Sequence, residues 1–252
     1  MPIEQTPDGK MRATGGARST VIALDRWFYR LARHWLVVIN FVVFLYVGLP
    51  FAAPVLMHFG YDRAARLIYA AYGPLCHQLA TRSWFLFGEQ SNYPRAEFMA
   101  RTGIDLDTTQ GILAARNFIG DATYGFKTAF CQRDIAIYGA ILLVGLVYMI
   151  PAVQRWLKPM PVWLWVLLGL VPIALDGFSQ LFSAYPYTAI PFIRDIFAFL
   201  PERESTPELR TLTGFLFGLS CAWLAFPYLR ESFNDMSAQL GEKLSRVQAA
   251  GG

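Results

Sequence analysis

The chain has 252 residues, of which 55% are hydrophobic and 16% are charged, whereas soluble domains carry about 25% charged residues. Long apolar stretches therefore indicate an integral membrane protein and exclude an ordinary soluble domain. The net charge of +4 does not indicate nucleic-acid binding, because the arginines flank apolar stretches and form no long basic run.

The N-terminal residues 1–34 are predicted to form a cytoplasmic tail followed by an interfacial helix. Residues 1–20 mix Gly, Thr, Ser, Pro and charged residues without apolar periodicity, which is typical of a flexible tail. After them, apolar residues alternate with Arg26, Arg30 and Arg33, which favours a helix lying on an anionic leaflet. Because basic residues accumulate on the cytoplasmic side, we expect a multi-pass protein of the cell membrane with a cytoplasmic N-terminus.

Four apolar stretches have the length of spanning helices. A helix rises ~1.5 Å per residue, so about 20 residues cross the ~30 Å hydrocarbon core. The predicted spans are residues 35–57, 134–150, 161–183 and 209–228. They define a single membrane domain over residues 35–229, and residues 230–252 are predicted to be a polar, solvated C-terminal tail. The sequence thus predicts an all-α, polytopic transmembrane helix bundle.

Residues 61–87 decide between four spans and five. Their uninterrupted apolar run, residues 67–76, contains Gly73-Pro74 and is too short for an ordinary lipid-facing span. We therefore expect a re-entrant or interfacial helix in this region, and four spans in all. The distribution of Lys and Arg over all loops favours five spans, but most of that difference comes from one long loop, where charge bias has less force.

That long loop, residues 88–130, is predicted to be an ordered extramembrane segment. Pro94 marks the start of a short helix that Gly103 ends. Asp107 and Gln110 have the spacing of a capping box that opens a second helix. The segment is therefore expected to be folded and not to act as a linker.

Polar side chains converge on one side of the membrane in either topology. They are Cys76, His77, Arg82, Cys131, Arg133, Asp134, Asp176, Gln180, Glu204 and Arg210. Cys131, Asp134 and Tyr138 share one helix face, because they are spaced by three and seven residues. This convergence predicts a polar pocket, which is braced by Arg82, Arg133, Tyr138, Gln180, Glu204 and Arg210.

Cys76, His77, Cys131 and Asp134 allow more than one interpretation. Thiolate, imidazole and carboxylate are ligand types that zinc accepts, and four of them would complete a tetrahedron. An adjacent Cys-His pair can reach one metal only from a loop. Alternatively, a Cys76–Cys131 disulfide ties the external segment to a helix end, or both thiols are inert. Cys221 lies in an apolar run and is expected to be a core residue.

Asp176 is a carboxylate on a predicted spanning helix, where it costs ~2.5 to 3.5 kcal/mol at the bilayer centre on insertion scales. It should therefore face a partner or a wet cavity, and Arg133 and Arg210 are expected at the same membrane side. Asp176 is the candidate catalytic base if the protein is an enzyme. The alternative is a buried ion-pair network that fixes the packing of the helices without catalysis.

The residues leave three classes of function open. An enzyme would act on a lipid-derived or small substrate through water activated by a zinc ion. A structural or accessory subunit would dock a partner through Gly214 and Gly218, whose small-xxx-small spacing predicts close helix packing within the chain or between subunits. A transporter is indicated only by Pro172 and Asp176, which lie in one helix.

Four motifs occur in order along the chain. They are Cys76-His77-Gln78 with Arg82-Ser83, Cys131-x-Arg133 with Ile137-Tyr138-x-x-Ile141, Leu175-Asp176-Gly177-x-x-Gln180, and Glu204-Ser205-Thr206 with Leu209-Arg210 and Thr213-Gly214. Over roughly residues 70–225 they resemble an uncharacterised prokaryotic membrane family, domain of unknown function 2085. The run Gly125-Phe126-Lys127-x-x-Phe130-Cys131-Gln132-Arg133-Asp134 resembles its longer bacterial branch.

The resemblance implies a membrane protein but no activity, since the family is uncharacterised. Many relatives have a second cysteine where this chain has Asp134, and the resulting Cys-x-x-Cys looks like half of a metal site. The departure to Asp134 makes a thiolate-rich site less favourable. It still permits a mixed Cys/His/Asp site, which is more often catalytic or transient than purely structural.

Overall fold

The structure is a computed structural model that describes residues 3–5, 11–13, 15–184 and 203–249, with side chains from 18–180 and 203–249. Most of the described chain is helical, which confirms the predicted fold class. Among the described residues, three helices are long and apolar enough to cross a membrane. They are Arg18–His58, Val162–Gln180 and Pro207–Ala249.

Long helices alternate with short helices and short strands along the described chain. The helices are α1 (Gly15–His58), α2 (Asp62–Tyr72), α3 (Arg95–Thr102), α4 (Thr109–Asn117), α5 (Gln132–Tyr148), α6 (Pro151–Trp156), α7 (Val162–Trp165), α8 (Val171–Ala184) and α9 (Pro207–Ala249). The strands are β1 (Ile3–Gln5), β2 (Met11–Ala13), β3 (Ser83–Leu86), β4 (Gly120–Asp121) and β5 (Gly125–Cys131). A π-helical segment, Val166–Leu170, joins α7 to α8.

The interfacial helix and the first span form one element, α1. Its backbone departs from helical geometry at His34, where φ is −115° and ψ is 17°. This kink lies at the predicted boundary between the two parts. Pro50 and Pro54 lie inside the helix without ending it.

The second predicted span is α5, which has 17 residues and therefore lies at the lower end of the ~17 to 25 residues that cross a hydrocarbon core. By contrast, α2 has 11 residues, and at ~1.5 Å per residue it cannot cross that core. It buries Ala65, Tyr69 and Tyr72 on one side and exposes Leu67 on the other. The five-span alternative therefore has no helix for its additional span, and α2 matches the predicted short helix.

A small sheet, which the sequence did not predict, lies at the two ends of the predicted extramembrane segment. β5 lies in the centre and pairs antiparallel with β3 on one side and β4 on the other. Ser83 lies opposite Cys131, and Leu86 lies opposite Phe126. Because β5 runs directly into α5, this pairing holds the chain that follows Cys76 beside the first turn of α5.

Within the predicted extramembrane segment, the capping residues are predicted correctly for α3, and the N-cap of α4 is wrong by one residue. α3 begins after Pro94 and ends at Gly103, whose φ is +70°. α4 is capped by Thr108, whose hydroxyl accepts the N–H of Gly111 at 3.0 Å. Asp107 instead forms an ion pair with Arg95 at 2.7 Å.

The last span and the polar tail form a single helix, α9, of 43 residues. The ring of Phe233 stacks on Trp35 of α1 with the centroids 5.2 Å apart. Further along the tail, Lys243 forms an ion pair with Asp25 at 2.7 Å. The tail that the sequence predicts to be solvated therefore packs one of its sides on α1.

Gly214 and Gly218 pack against α5 of the same chain. A Cβ at Gly214 would lie 2.7 Å from the carbonyl oxygen of Arg133, and one at Gly218 would overlap the carbonyl oxygen of Ile137. Two helices approach this closely only where side chains are absent. The surface proposed for a partner subunit is therefore already covered by α5.

This packing predicts different effects for two glycine substitutions on the facing helices. We expect Gly218→Ala to lower the free energy of unfolding by about 1 to 3 kcal/mol, because α5 and α9 must separate. Gly139→Ala on α5 is the matched control, since nothing lies within 4 Å of its Cβ, and it should be neutral or slightly stabilising. Unfolding in mixed detergent micelles measures both, and equal effects would contradict the packing.

Candidate functional site

The polar site is built around the first turn of α5. Cys131 is the N-cap of this helix, and its sulfur accepts the N–H of Asp134 at 3.5 Å. Successive residues of a helix point about 100° apart. The side chains of Gln132, Arg133 and Asp134 therefore leave the helix in different directions, and they contact three different sets of residues.

One set, the thiol cluster, consists of Cys76, Cys131 and Asp134. The sulfur atoms and the nearest carboxylate oxygen all lie within 4.8 Å of one another. The Cys131 thiol donates a hydrogen bond to Asp134 Oδ2 at 3.2 Å. The cluster brings together three of the four residues that the sequence predicts as metal ligands.

The thiol cluster has aromatic walls. Cys76 is buried in an apolar cluster that also contains Tyr72 and Phe130. Tyr138, predicted to brace the pocket, packs its ring against Tyr46 at 4.7 Å and against Phe130 at 5.9 Å between centroids. These rings exclude water from one side of the cluster.

The charge state of Cys76 reflects this crowding. The pKa of its thiol is raised, first by the side chain of Cys131, then by burial and by Asp134. Deprotonation would place a negative charge beside two other acidic groups in an apolar setting. The positive charge of a bound cation would offset this penalty, and thiolates and carboxylates are ligands that zinc accepts.

His77 does not join the thiol cluster. Its side chain is exposed, whereas Cys76 is buried, and the backbone then turns through Gln78, whose φ is +50°. Adjacent residues of an extended chain point to opposite sides, so the prediction of four ligands reduces to three in this arrangement.

All three cysteines are free thiols in the structure. The disulfide interpretation of Cys76 and Cys131 therefore finds no support. Cys221 lies outside the thiol cluster and accepts a hydrogen bond from the indole N–H of Trp165 at 3.3 Å. Its side chain is only partly buried, so it is not one of the fully buried core residues.

A second set, the aspartate cluster, consists of Asp176, Arg133, Arg203 and Ser205. Arg133 donates to Asp176 Oδ2, which also accepts the hydroxyl of Ser205 at 2.8 Å. Arg203 donates to Oδ1 at 3.1 Å. Both carboxylate oxygens are thus occupied by donors, and the side chain of Asp176 is only 2% exposed. The geometry favours the ion-pair interpretation of Asp176 over that of a free base.

The third set surrounds Arg210, which is buried. Its guanidinium donates to Glu204 at 3.1 Å and to the carbonyl oxygen of Thr81 and the side chain of Gln132, each at 3.3 Å. Arg82 lies 3.9 Å from the same Glu204. Of the two arginines that the sequence offers as partners for Asp176, Arg133 therefore pairs with it, whereas Arg210 has Glu204 as its carboxylate partner.

The sequence interpretation missed some members of these networks and included one residue that stays apart. Arg203 and Ser205 both donate to Asp176, although only their neighbour Glu204 was predicted to brace the pocket. Gln180 is buried, but its Nε2 atom has no hydrogen-bond partner among the described residues. Gln180 was predicted to brace the pocket, but no hydrogen bond joins it to Asp176 within the described residues.

A known family model matches a region of the chain that includes most of the site. The family model described as "Predicted membrane protein (DUF2085)" matches residues 114–224. The resemblance is confirmed over this region. The matched region contains Cys131, Asp134 and Asp176, and Cys76 lies before it.

One relative aligns with most of the chain. An uncharacterized protein of Methanocaldococcus jannaschii is 25% identical over 203 residues, which cover 78% of this chain and 92% of the relative. No solved structure matches the chain. Neither the family description nor that of the relative states an activity, so the function has to be inferred from the site.

The aspartate cluster predicts strong energetic coupling between Arg133 and Asp176. Asp176→Ala should lower the free energy of unfolding by about 3 to 5 kcal/mol, because it leaves buried positive charge unpaired. Arg133→Ala in the same chain should recover about 1 to 3 kcal/mol. A double-mutant cycle in detergent micelles measures this coupling.

The control for that cycle is the exposed ion pair of Arg95 and Asp107, whose side chains are 35% and 71% exposed. It should show a coupling of about 0.2 to 1 kcal/mol. If Arg133 and Asp176 couple no more strongly than this surface pair, the aspartate cluster does not hold α5 to α8.

Proposed function

We propose that this integral membrane protein binds a zinc-like metal ion at the thiol cluster. The observation that carries the proposal is the mutual approach of three ligand atoms, all within 4.8 Å. In tetrahedral geometry with zinc–sulfur bonds of about 2.3 Å and a zinc–oxygen bond of about 2.0 Å, neighbouring ligand atoms of this set lie roughly 3.5 to 3.8 Å apart. Cys131 Sγ and Asp134 Oδ2 lie 3.2 Å apart, slightly closer than this range. No two of the three ligand atoms are more than 4.8 Å apart.

Three protein ligands leave the fourth position of a tetrahedral ion open. Such sites supply Lewis-acid chemistry and activate water, whereas purely structural zinc sites are closed by four protein ligands. The open position therefore favours hydrolysis of a lipid-derived or small substrate at the membrane surface. In this reaction Cys76, Cys131 and Asp134 would hold the ion, and the rings of Tyr46 and Tyr138 would keep water from their side.

The proposal includes an orientation. Arg18, Arg26, Arg30 and Arg33 lie in the first half of α1, which supports a cytoplasmic N-terminus by the positive-inside rule. α1 then crosses the membrane once, so α2 and the sheet lie on the opposite side. The thiol cluster would thus face the extracytoplasmic space, where a metal ion also protects thiolates from oxidation.

A second, non-enzymatic function is favoured by the aspartate cluster. Arg133 of α5, Asp176 of α8 and Ser205 before α9 are joined at one carboxylate, which is the arrangement of a clasp between helices. A structural or accessory subunit would need no more than this clasp. The transporter alternative has less support, because Asp176 is paired on both oxygens and is not free to bind a solute ion.

Metal analysis of the detergent-purified protein tests the proposal. We expect about one zinc per chain, and a loss of at least about tenfold in affinity for Cys76→Ser, Cys131→Ser and Asp134→Ala, since each removes a ligand. Competition with a chromophoric zinc chelator measures the affinity of each variant.

Two variants serve as controls for the metal analysis. Cys221→Ser removes a thiol outside the cluster, and His77→Ala removes the exposed imidazole, so both should bind zinc like the parent chain. Substoichiometric zinc that is equal in all variants would contradict the metal site and leave the clasp as the function. Loss of zinc in His77→Ala would restore the four-ligand site.

A further inference from the structure

A basic cavity of about 570 Å³ lies beside α2, and no cysteine lines it. Three positively charged residues line it, namely Arg66 on α2, Arg116 near the end of α4 and Lys127 on β5. Within the described part of the chain, no Asp or Glu contributes to its walls. A cavity of this charge attracts anions.

Lys127 is buried with 1% exposure and has no carboxylate partner among the described residues. Its ammonium group donates to the carbonyl oxygens of Gln78 at 2.6 Å and Arg116 at 2.5 Å, which leaves one of its three N–H donors. Burial lowers the pKa of Lys127 to about 7, because a low dielectric disfavours the charged form. A bound anion would favour the charged form and could accept the remaining N–H.

The two arginines also retain donors for a ligand. Arg116 uses one N–H in a hydrogen bond of 2.9 Å to the carbonyl oxygen of Gly73, and a guanidinium group has five. Arg66 is exposed, and it forms neither a hydrogen bond nor an ion pair within the described ranges. Guanidinium groups bind phosphate oxygens in pairs.

The surroundings of the cavity indicate its position relative to the bilayer. The large apolar side chains of Phe59, Leu67 and Leu75 are exposed on and beside α2. Exposed apolar side chains on a short helix next to a spanning helix are typical of the membrane interface. These side chains favour a cavity at the level of lipid headgroups.

We propose that this cavity binds a phosphate-bearing anion, either the headgroup of an anionic phospholipid or free phosphate, through Arg66, Arg116 and Lys127. The site shares no ligand residue with the thiol cluster, so this proposal does not depend on the metal proposal. A phosphate group would supply a counter-ion for Lys127, and Arg66 at the exposed side would contact it from α2.

The test uses the full chain and two probes. Inorganic phosphate is titrated calorimetrically into the detergent-purified protein, and labelled phosphatidylglycerol is compared with labelled phosphatidylcholine in reconstituted bilayers. Arg66→Gln and Arg116→Gln should each weaken binding about tenfold, since each removes a charge-assisted contact. Arg63→Gln is the matched control, because Arg63 is an exposed arginine of the same helix that does not line the cavity.

Each outcome decides the proposal. Phosphate binding that is weakened by Arg66→Gln and not by Arg63→Gln supports the site and identifies free phosphate as a ligand. Selective binding of phosphatidylglycerol with the same pattern, without phosphate binding, identifies the lipid headgroup. Binding of neither probe, or equal weakening by Arg66→Gln and Arg63→Gln, overturns the proposal. An unchanged zinc content of Arg66→Gln separates this result from the metal site.

Discussion

Cys131 to Asp134 stand where β5 passes into α5, and their four side chains contact three separate groups of residues. Cys131 and Asp134 approach Cys76, while Gln132 accepts from Arg210 and Arg133 pairs with Asp176. The pairing of Ser83 with Cys131 holds the start of β3 beside the first turn of α5. The chain after α2, the helix α8 and the start of α9 are therefore all tied to one turn of helix.

The charges of this region fall into two kinds. Asp176 and Glu204 are matched by arginines, and these pairs hold helices together, because an unpaired charge in a membrane is costly. The thiol cluster gathers two thiols and a carboxylate, and the cavity at Lys127 is lined, among the described residues, by three positive groups and by no carboxylate. The paired charges of Asp176 and Glu204 indicate a structural role, whereas the thiol cluster and the cavity at Lys127 indicate binding. This contrast is why the metal and the anion proposals concern these two places and not Asp176.

Local patterns predicted much of the fold, and contacts between distant residues explain what they missed. The start of α3 after Pro94 and its end at Gly103 follow from local residue types alone. The sheet does not, since β3 and β4 are short and β3 pairs with β5, which lies about 40 residues further along the chain. The metal ligands were predicted from residue type, but the exposure of His77 depends on a turn at Gln78. Likewise, the spacing of Gly214 and Gly218 predicts close packing without naming α5 as the partner.

The central claim is that Cys76, Cys131 and Asp134 bind one metal ion with its fourth position open. X-ray absorption at the zinc edge of the loaded protein tests it most directly, because sulfur and light-atom ligands differ in number and distance. We predict two sulfur ligands at about 2.3 Å and two oxygen or nitrogen ligands at about 2.0 to 2.1 Å, with one sulfur remaining in Cys131→Ser. A bound zinc ion without sulfur ligands, or with the same spectrum in Cys131→Ser, would contradict the claim.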